Sequence, residues 1–178
     1  HFAAIWRLLG EHEPWLTTAR RSANGASVQP FTIGPMLVLT GADPAQQNVF
    51  HDAVPHGSRL RLFGAVQPGS VRTTNYHRWM NSPWTAVEPE GQNGAGAWTT
   101  GDQRRLHTLV DGAHAAGLWI RFYTLNGHSP EEGDRMGWSP GHNFGSTDAA
   151  RIRWRAAIDA GVDFIATDQY EDFAMTAR

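Results

Sequence analysis

Residues 114–122 read HAAGLWIRF and residues 158–166 read IDAGVDFIA, and the two stretches repeat one pattern. In each, the end of a helix meets a glycine, and a strand rich in apolar residues follows. The first helix is predicted to begin at Thr100, where Gln103 completes a capping box, and to end at Gly117. Two successive helix–glycine–strand units indicate an α/β protein with parallel strands.

Rougher copies of the same alternation occur earlier in the chain. In chain order, we predict a helix at 2–16, a strand at 34–41, a helix at 44–54, strands at 59–66, 71–79 and 118–126, a helix from 146 to 161 and a strand at 162–168. With about five strands, either an open doubly wound sheet or part of a (β/α)8 barrel fits this order. Because no GxGxxG or GxxxxGK[ST] turn follows a strand, a nucleotide-binding fold is disfavoured.

Composition limits the classes of function. A chain of 178 residues is long enough for one well-cored domain, and its net charge of −2 gives no electrostatic basis for a nucleic-acid partner. Cysteine is absent, which excludes disulfides and Cys-ligated zinc. No run approaches the ~20 apolar residues of a membrane span, so we expect no transmembrane segment. A secreted bacterial protein is favoured over a cytoplasmic one.

Long irregular segments follow the predicted strands at 67–70, 81–99 and 127–145. In parallel α/β folds, the loops after strands form the edge that faces the ligand. Loops of this length at that edge are usually lids or binding loops. The functional face is therefore predicted at the carboxyl ends of the strands.

The last two strands carry a family resemblance. GLWIRFYTLN at 117–126 and AGVDFIATD at 160–168 resemble the seventh and eighth strands of the glycerophosphodiester phosphodiesterase and phosphatidylinositol-specific phospholipase C-like superfamily. GPMLVLTG at 34–41 and the TNY segment at 74–76 are similar to its middle strands. The resemblance implies a TIM barrel and a hydrolase that cleaves a glycerophosphodiester or a phosphoinositide or phospholipid head-group bond, assisted by Mg or Ca.

The sequence also departs from the family pattern. Neither the H-x-x-N-D strand with the catalytic histidines nor the E-x-D strand with the metal ligands is found, and Tyr123 stands where the family usually has Trp. The expected architecture is thus an incomplete barrel, with residues 1–178 forming its single C-terminal portion and the N-terminal strands missing. The catalytic residues stay unassigned, the metal ligands are expected outside this chain, and the missing segment or a second chain is an expected partner.

Candidate substrate-binding residues lie on the two family-like strands. Side chains alternate along a strand, so Arg121 and Tyr123 share one face, and Asp168 ends the last strand. A buried arginine needs an acidic partner or an anionic ligand, and phosphate matches its guanidinium fork. Either a phosphate site or a structural Arg121–Asp168 pair would satisfy this need. The resemblance adds Asn126 from the first strand and Asn75 from the middle segment.

Other patterns support rival hypotheses. His107, Asp111 and His114 have helical spacing that suits a metal site, but they flank the apolar stripe of the helix rather than follow a strand, so a solvated helix face is favoured. Tryptophans in the predicted loops could stack on a sugar or a lipid surface, or only pack the loops; they are Trp84, Trp98 and Trp138. With the strand-end acids Asp168 and Glu171, they leave open a carbohydrate-active barrel. A non-catalytic binding module is the third alternative.

Overall fold

The computed structural model describes residues 1–23, 27–67 and 69–178, in which helices and parallel strands alternate as the sequence predicts. The chain divides into two compact units, His1–Met80 with Ala116–Leu118, and Asn81–Ala115 with Trp119–Arg178. The protein is therefore an α/β protein with parallel strands.

The first unit contains a parallel and an antiparallel sheet. Its elements are α1 (Phe2–Glu11), a 3-10 helix (Glu13–Trp15), β1 (Thr18–Arg20), β2 (Phe31–Thr32), β3 (Leu39–Thr40), α2 (Pro44–Gln47), a π-helix (Asn48–Asp52), β4 (Arg59–Leu60), β5 (Phe63–Ala65) and the beginning of β6 (His77–Pro83). The parallel order is β3-β5-β6, with Leu39 paired to Phe63. The antiparallel order is β2-β1-β4, with Ala19 paired to Leu60.

Aromatic and aliphatic side chains fill the first unit. One buried cluster is Ala19, Val54, Leu60 and Phe63, and a second is Phe50, Leu62 and Tyr76. Arg78 is buried with its guanidinium 4.5 Å from the Phe31 ring centroid, and burial lowers the pKa of Arg78 to about 10. Glu13 accepts hydrogen bonds from Arg59 and Arg61 at 3.0 and 2.7 Å.

The second unit holds the two family-like strands. Its elements are the end of β6, 3-10 helices at Trp84–Ala86 and Gln92–Gly94, α3 (Thr100–Ala115), β7 (Trp119–Tyr123), α4 (Pro130–Met136), a 3-10 helix at Pro140–His142, α5 (Thr147–Asp159), β8 (Phe164–Ile165) and α6 (Tyr170–Thr176). The strands are ordered β6-β7-β8. β7 and β8 are parallel, with Arg121 opposite Phe164 and Phe122 opposite Ile165.

The core of the second unit contains an ion pair as well as apolar side chains. Leu106, Ile120, Phe122 and Trp154 are fully buried. Beside them, the side chains of Arg153 and Glu88 are only 2% and 4% exposed and are joined by two hydrogen bonds, Nη2 to Oε1 at 2.6 Å and Nε to Oε2 at 3.0 Å. No sequence pattern predicted this pair.

Both glycine helix ends are confirmed, and α3 begins at Thr100 as predicted, but its capping residues differ from the prediction. Gly117 and Gly161 have φ values of +72° and +79°, the left-handed conformation that ends a helix at glycine. The capping box of α3 lies one residue earlier than predicted. It joins Thr99 to Asp102, whose carboxylate accepts from the Thr99 N–H at 2.8 Å while the Thr99 hydroxyl accepts from the Asp102 N–H at 3.2 Å.

Several predicted bounds are wrong for local reasons. The helix predicted at 2–16 ends at Glu11, because the 3-10 helix with Pro14 in its first turn follows. The strand predicted at 59–66 is two strands in different sheets, β4 and β5. The strand predicted at 71–79 begins only at His77, since the Thr74 hydroxyl accepts the His77 N–H at 2.9 Å and holds a turn.

Two further strands are shorter than predicted. Only Leu39–Thr40 of 34–41 and Phe164–Ile165 of 162–168 have strand geometry. The antiparallel sheet was not predicted at all, because its strands have two or three residues and show no alternating pattern. The predicted loop at 67–70 includes residue 68, which lies outside the described residues.

Candidate functional site

A cleft of about 430 Å³ opens in the second unit where β7 and β8 end. Its lining includes Arg121 and Thr124 on the β7 side, and Thr167, Asp168, Tyr170 and Phe173 after β8. Ligand pockets in proteins commonly measure about 300–1,000 Å³. The cleft therefore has the size of a small-molecule site and lies at the edge where parallel strands present ligand-binding loops.

Arg121 lies half-buried in this cleft. Alternation along β7 produces this placement, because Ile120 and Phe122 are fully buried on one face while Arg121 is on the other. The guanidinium Nη1 donates to Asn81 Oδ1 at 2.8 Å, and within the described residues Arg121 forms no ion pair. Burial lowers the pKa of Arg121 by disfavouring its charged form, an effect that nearby Tyr123 opposes. The site thus holds a cation without an acidic partner among the described residues.

Asp168 is held by the buried side chain of Asn126. The Asn126 amide Nδ2 donates to Asp168 Oδ2 at 2.7 Å, and Asn126 Oδ1 accepts from the Asp168 N–H at 2.9 Å and from the Thr167 hydroxyl at 3.0 Å. One side chain that follows β7 therefore fixes the segment that follows β8. Because no partner is described for Asp168 Oδ1, this oxygen can accept a further hydrogen bond.

Gly127 continues this connection and requires the absence of a side chain. Its N–H donates to Gln169 Oε1 at 2.5 Å, and its carbonyl accepts from the Thr147 hydroxyl at 3.2 Å. A Cβ at Gly127 would lie 2.4 Å from the Ser146 carbonyl oxygen and 2.6 Å from the Ala150 Cβ. The close approach of the loop to the start of α5 explains why the strand is followed by Asn-Gly.

The structure brings some of the predicted site residues together and separates others. Arg121 and Asp168 line one cleft, and Asn126 supports Asp168. Arg121 contacts Asn81 rather than Asp168, so the predicted alternative of a structural Arg121–Asp168 pair is wrong. Tyr123 is not among the residues that line the cleft, and its ring meets His142 edge-on with centroids 6.0 Å apart.

Asn75 lies in the first unit and is fully buried. Its Oδ1 accepts from the Ser22 N–H at 3.2 Å, and its Nδ2 has no partner among the described residues. These contacts give Asn75 a structural role in the first unit.

The described parts of the chain contain no group of side chains that supports the predicted metal site. No cluster of three or more His, Asp or Glu side chains there could hold a metal ion. In the predicted triad, His107 Nε2 lies 2.8 Å from Gln103 Nε2, and His114 Nε2 lies 2.9 Å from Asp163 Oδ2. The Mg or Ca that the family resemblance implies therefore has no matching ligand set among these residues.

Trp84 and Trp98, two of the three loop tryptophans, donate their indole N–H groups to protein acceptors and stack on each other. Trp84 is buried, with its Nε1 donating to Glu88 Oε2 at 2.6 Å. Trp98 donates to Gln103 Oε1 at 3.0 Å and stacks on Trp84 with centroids 6.1 Å apart. The packing interpretation is therefore correct for Trp84, and it also describes the contacts of Trp98.

Sequence reasoning missed Asn81, the partner of Arg121. The strand predicted at 71–79 stopped short of it, whereas β6 runs to Pro83. A sequence signal was present, because Asn81 is a polar residue that directly follows the apolar pair Trp79–Met80, two residues beyond the predicted end of this strand.

Comparisons with family models, with characterised proteins and with solved structures found no match to this chain. No helix among the described residues is both long and apolar enough to cross a lipid bilayer.

Proposed function

We propose that the cleft at the ends of β7 and β8 binds the phosphate of a phosphodiester. The observation that carries this proposal is Arg121, a half-buried cation that donates to the neutral Asn81 and forms no ion pair among the described residues. Partial burial of a charge without a counter-ion is unfavourable, and a bound anion would offset that cost. Phosphate oxygens match the guanidinium fork geometrically.

Asp168 supports a phosphate ester rather than free phosphate as the ligand. Its carboxylate repels a phosphate, but its second oxygen can accept a hydroxyl of the alcohol that the phosphate esterifies. In the proposed complex, Arg121 neutralises the phosphate and Asp168 orients the alcohol. Asn126 holds Asp168 in place. The substrate class is a glycerophosphodiester or a phosphoinositide or phospholipid head group.

The proposed reaction is hydrolysis of that phosphodiester in a TIM-barrel fold. Support for the barrel comes from the parallel order of the strands within each unit and from the resemblance of 117–126 and 160–168 to barrel strands. Because the described residues present no ligand set for Mg or Ca, no step of the reaction is assigned to a metal here.

Two substitutions test the phosphate site from opposite sides. Arg121→Ala removes the cation, and Asn81→Asp places a carboxylate at the atom now 2.8 Å from the guanidinium. Losing a hydrogen bond to a charged group costs about 1.5–3 kcal/mol, so Arg121→Ala should weaken binding of glycerophosphocholine roughly 10- to 150-fold. Asn81→Asp should also weaken it, because the new carboxylate pairs with the guanidinium and repels the phosphate. Calorimetric titration measures this loss. Arg104→Ala, which removes an exposed arginine of α3, is the matched control and should bind normally.

Unchanged binding by both Arg121→Ala and Asn81→Asp would overturn the phosphate site. Binding weakened equally by Arg104→Ala would show only nonspecific attraction between charges.

Residues 1–178 by themselves are expected to bind a phosphodiester without turning it over. The reason is the absence from the sequence of the histidine and acidic motifs of the family. The measurement is hydrolysis of bis(p-nitrophenyl) phosphate and glycerophosphocholine with Mg and with Ca. Metal-dependent turnover would contradict this prediction. The role of Arg121 in binding would still be decided by the calorimetric titration of Arg121→Ala.

A further inference from the structure

A second pocket of the same unit lies among the loops after β6 and β7. It measures about 140 Å³, and its lining includes Trp138, Asn93, Asp134, Asn143, Pro130 and Pro140. A cavity of about 150 Å³ lined by apolar side chains holds one benzene molecule. This pocket therefore has room for a single six-membered ring.

Trp138 is fixed in position on one side of this pocket. The backbone N–H of Trp138 donates to the Gly133 carbonyl at 3.0 Å, and the backbone N–H of Gly137 donates to the Asp134 carbonyl at 3.3 Å. Together these bonds form a Schellman motif at the end of α4. The Trp138 ring lies against His128, with ring centroids 4.0 Å apart. The His128 side chain is only 13% exposed, so it supports one side of the Trp138 ring. The indole is thus a preorganised surface for a ligand.

Amide groups provide the polar contacts of the pocket. Asn143 is 8% exposed, and its Oδ1 accepts from the Gly145 N–H at 3.1 Å. That bond fixes the amide, and within the described residues no acceptor is found for its Nδ2. Asn93 adds an exposed amide and Asp134 an exposed carboxylate. The lining thus offers hydrogen-bond donors and acceptors beside an aromatic face.

The charges of the residues that line this pocket favour a neutral ligand over an anion or a cation. Among the lining residues that the structure describes, none is arginine or histidine, and Asp134 is acidic, so an anion such as phosphate is disfavoured. Quaternary ammonium ions are typically held by cages of several aromatic rings, whereas Trp138 is the one aromatic residue of the described lining. A neutral ring with several hydroxyl groups satisfies both the indole face and the amides.

We propose that this pocket binds one neutral pyranose ring, as a monosaccharide or as the terminal sugar of a glycoside. The ring stacks on Trp138, and its hydroxyls bond to Asn143, Asn93 and Asp134. The inference does not rest on the phosphate site, because no lining residue named for one pocket lines the other. A ligand with so few atoms is expected to bind in the millimolar range.

The test uses the whole chain and saturation-transfer NMR with glucose, galactose, mannose and N-acetylglucosamine. We expect at least one of these sugars to give a transfer signal and to bind with a millimolar Kd. Trp138→Ala should weaken that binding at least tenfold, and Asn93→Ala should weaken it several-fold. Trp98→Ala, which removes a loop tryptophan outside the lining, should bind like the parent protein. A thermal melt of each variant verifies that it is folded.

Three outcomes would overturn the proposal. The first is no signal from any of the four sugars, and the second is binding that survives in folded Trp138→Ala. The third is displacement of the sugar by choline at lower concentration, which would make the pocket a cation site. If Arg121→Ala leaves sugar binding unchanged, the two sites are independent, and the failure of one does not decide the other. Loss of sugar binding in that variant would contradict a separate pocket.

Discussion

Glu88→Ala is expected to lower the free energy of unfolding by about 3–5 kcal/mol, the range for breaking a buried ion pair by removing one partner. Glu88 accepts two hydrogen bonds from Arg153 and one from Trp84 Nε1 at 2.6 Å. Alanine would leave the guanidinium buried without a counter-ion. The Gly96 carbonyl, which accepts from Arg153 Nη2 at 2.8 Å, supplies only a partial substitute.

The destabilisation comes mainly from leaving the Arg153 charge buried without a partner, rather than from the lost attraction between the two side chains. A double variant distinguishes these two contributions. Replacing the pair together, as Glu88→Leu with Arg153→Met, leaves no buried charge and should be less destabilising than Glu88→Ala alone. The Phe144 ring, whose centroid is 5.1 Å from the Arg153 guanidinium carbon, offers an apolar contact for the methionine.

Urea denaturation at pH 7 measures these differences in the free energy of unfolding. Glu90→Ala is the matched control, because Glu90 is an exposed glutamate two residues away, and it should change stability by less than about 0.5 kcal/mol. A loss below about 1 kcal/mol for Glu88→Ala would show that the pair is hydrated rather than buried.

Local signals in the sequence were sufficient for α3, α5 and β7 of the second unit, whereas α4 lies in the segment that was predicted to be irregular and α6 was not predicted. The positive φ of Gly117 and Gly161 and the cap at Ser146, whose hydroxyl accepts from the Ala149 N–H at 3.2 Å, are properties of a few neighbouring residues. Features that depend on neighbouring residues can be predicted from the sequence without knowledge of the fold. The alternation that buried Ile120 and Phe122 is equally local, and it placed Arg121 on the face that lines the cleft.

Contacts between distant segments were not predictable in the same way. Arg153 and Glu88 are 65 residues apart, and a charged side chain in an amphipathic helix is ordinarily expected in solvent. Asn126 gave only a weak signal, because its importance lies in hydrogen bonds to a segment 42 residues away. The sequence predicted a candidate site at the strand ends, where a cleft is found, but the partners of each side chain depended on which strand ends meet.

Asn126→Asp is expected to destabilise the protein by about 2–3 kcal/mol at pH 7 and by much less at pH 4. The substitution preserves shape but replaces the amide nitrogen, 2.7 Å from Asp168 Oδ2, with a carboxylate oxygen. Two carboxylates at this distance cannot both be ionised at low cost, so the pair retains a proton and one of its pKa values rises. Each unit of that rise corresponds to about 1.4 kcal/mol.

The direction of the pH dependence follows from proton binding. In the folded variant the acid pair holds a proton that the unfolded chain releases above a pKa of about 4. Stability relative to the parent protein therefore rises as pH falls through the raised pKa, and the penalty is largest above it. Denaturation of both proteins at pH 7, 5.5 and 4 measures the difference in the free energy of unfolding.

Asn126→Ala is the control, because it loses the same hydrogen bonds without adding a charge. Its deficit should vary far less with pH. If the deficit of Asn126→Asp were equally constant, Asp168 would not be held against residue 126, and the orientation of Asp168 in the cleft would have to be assigned to another group.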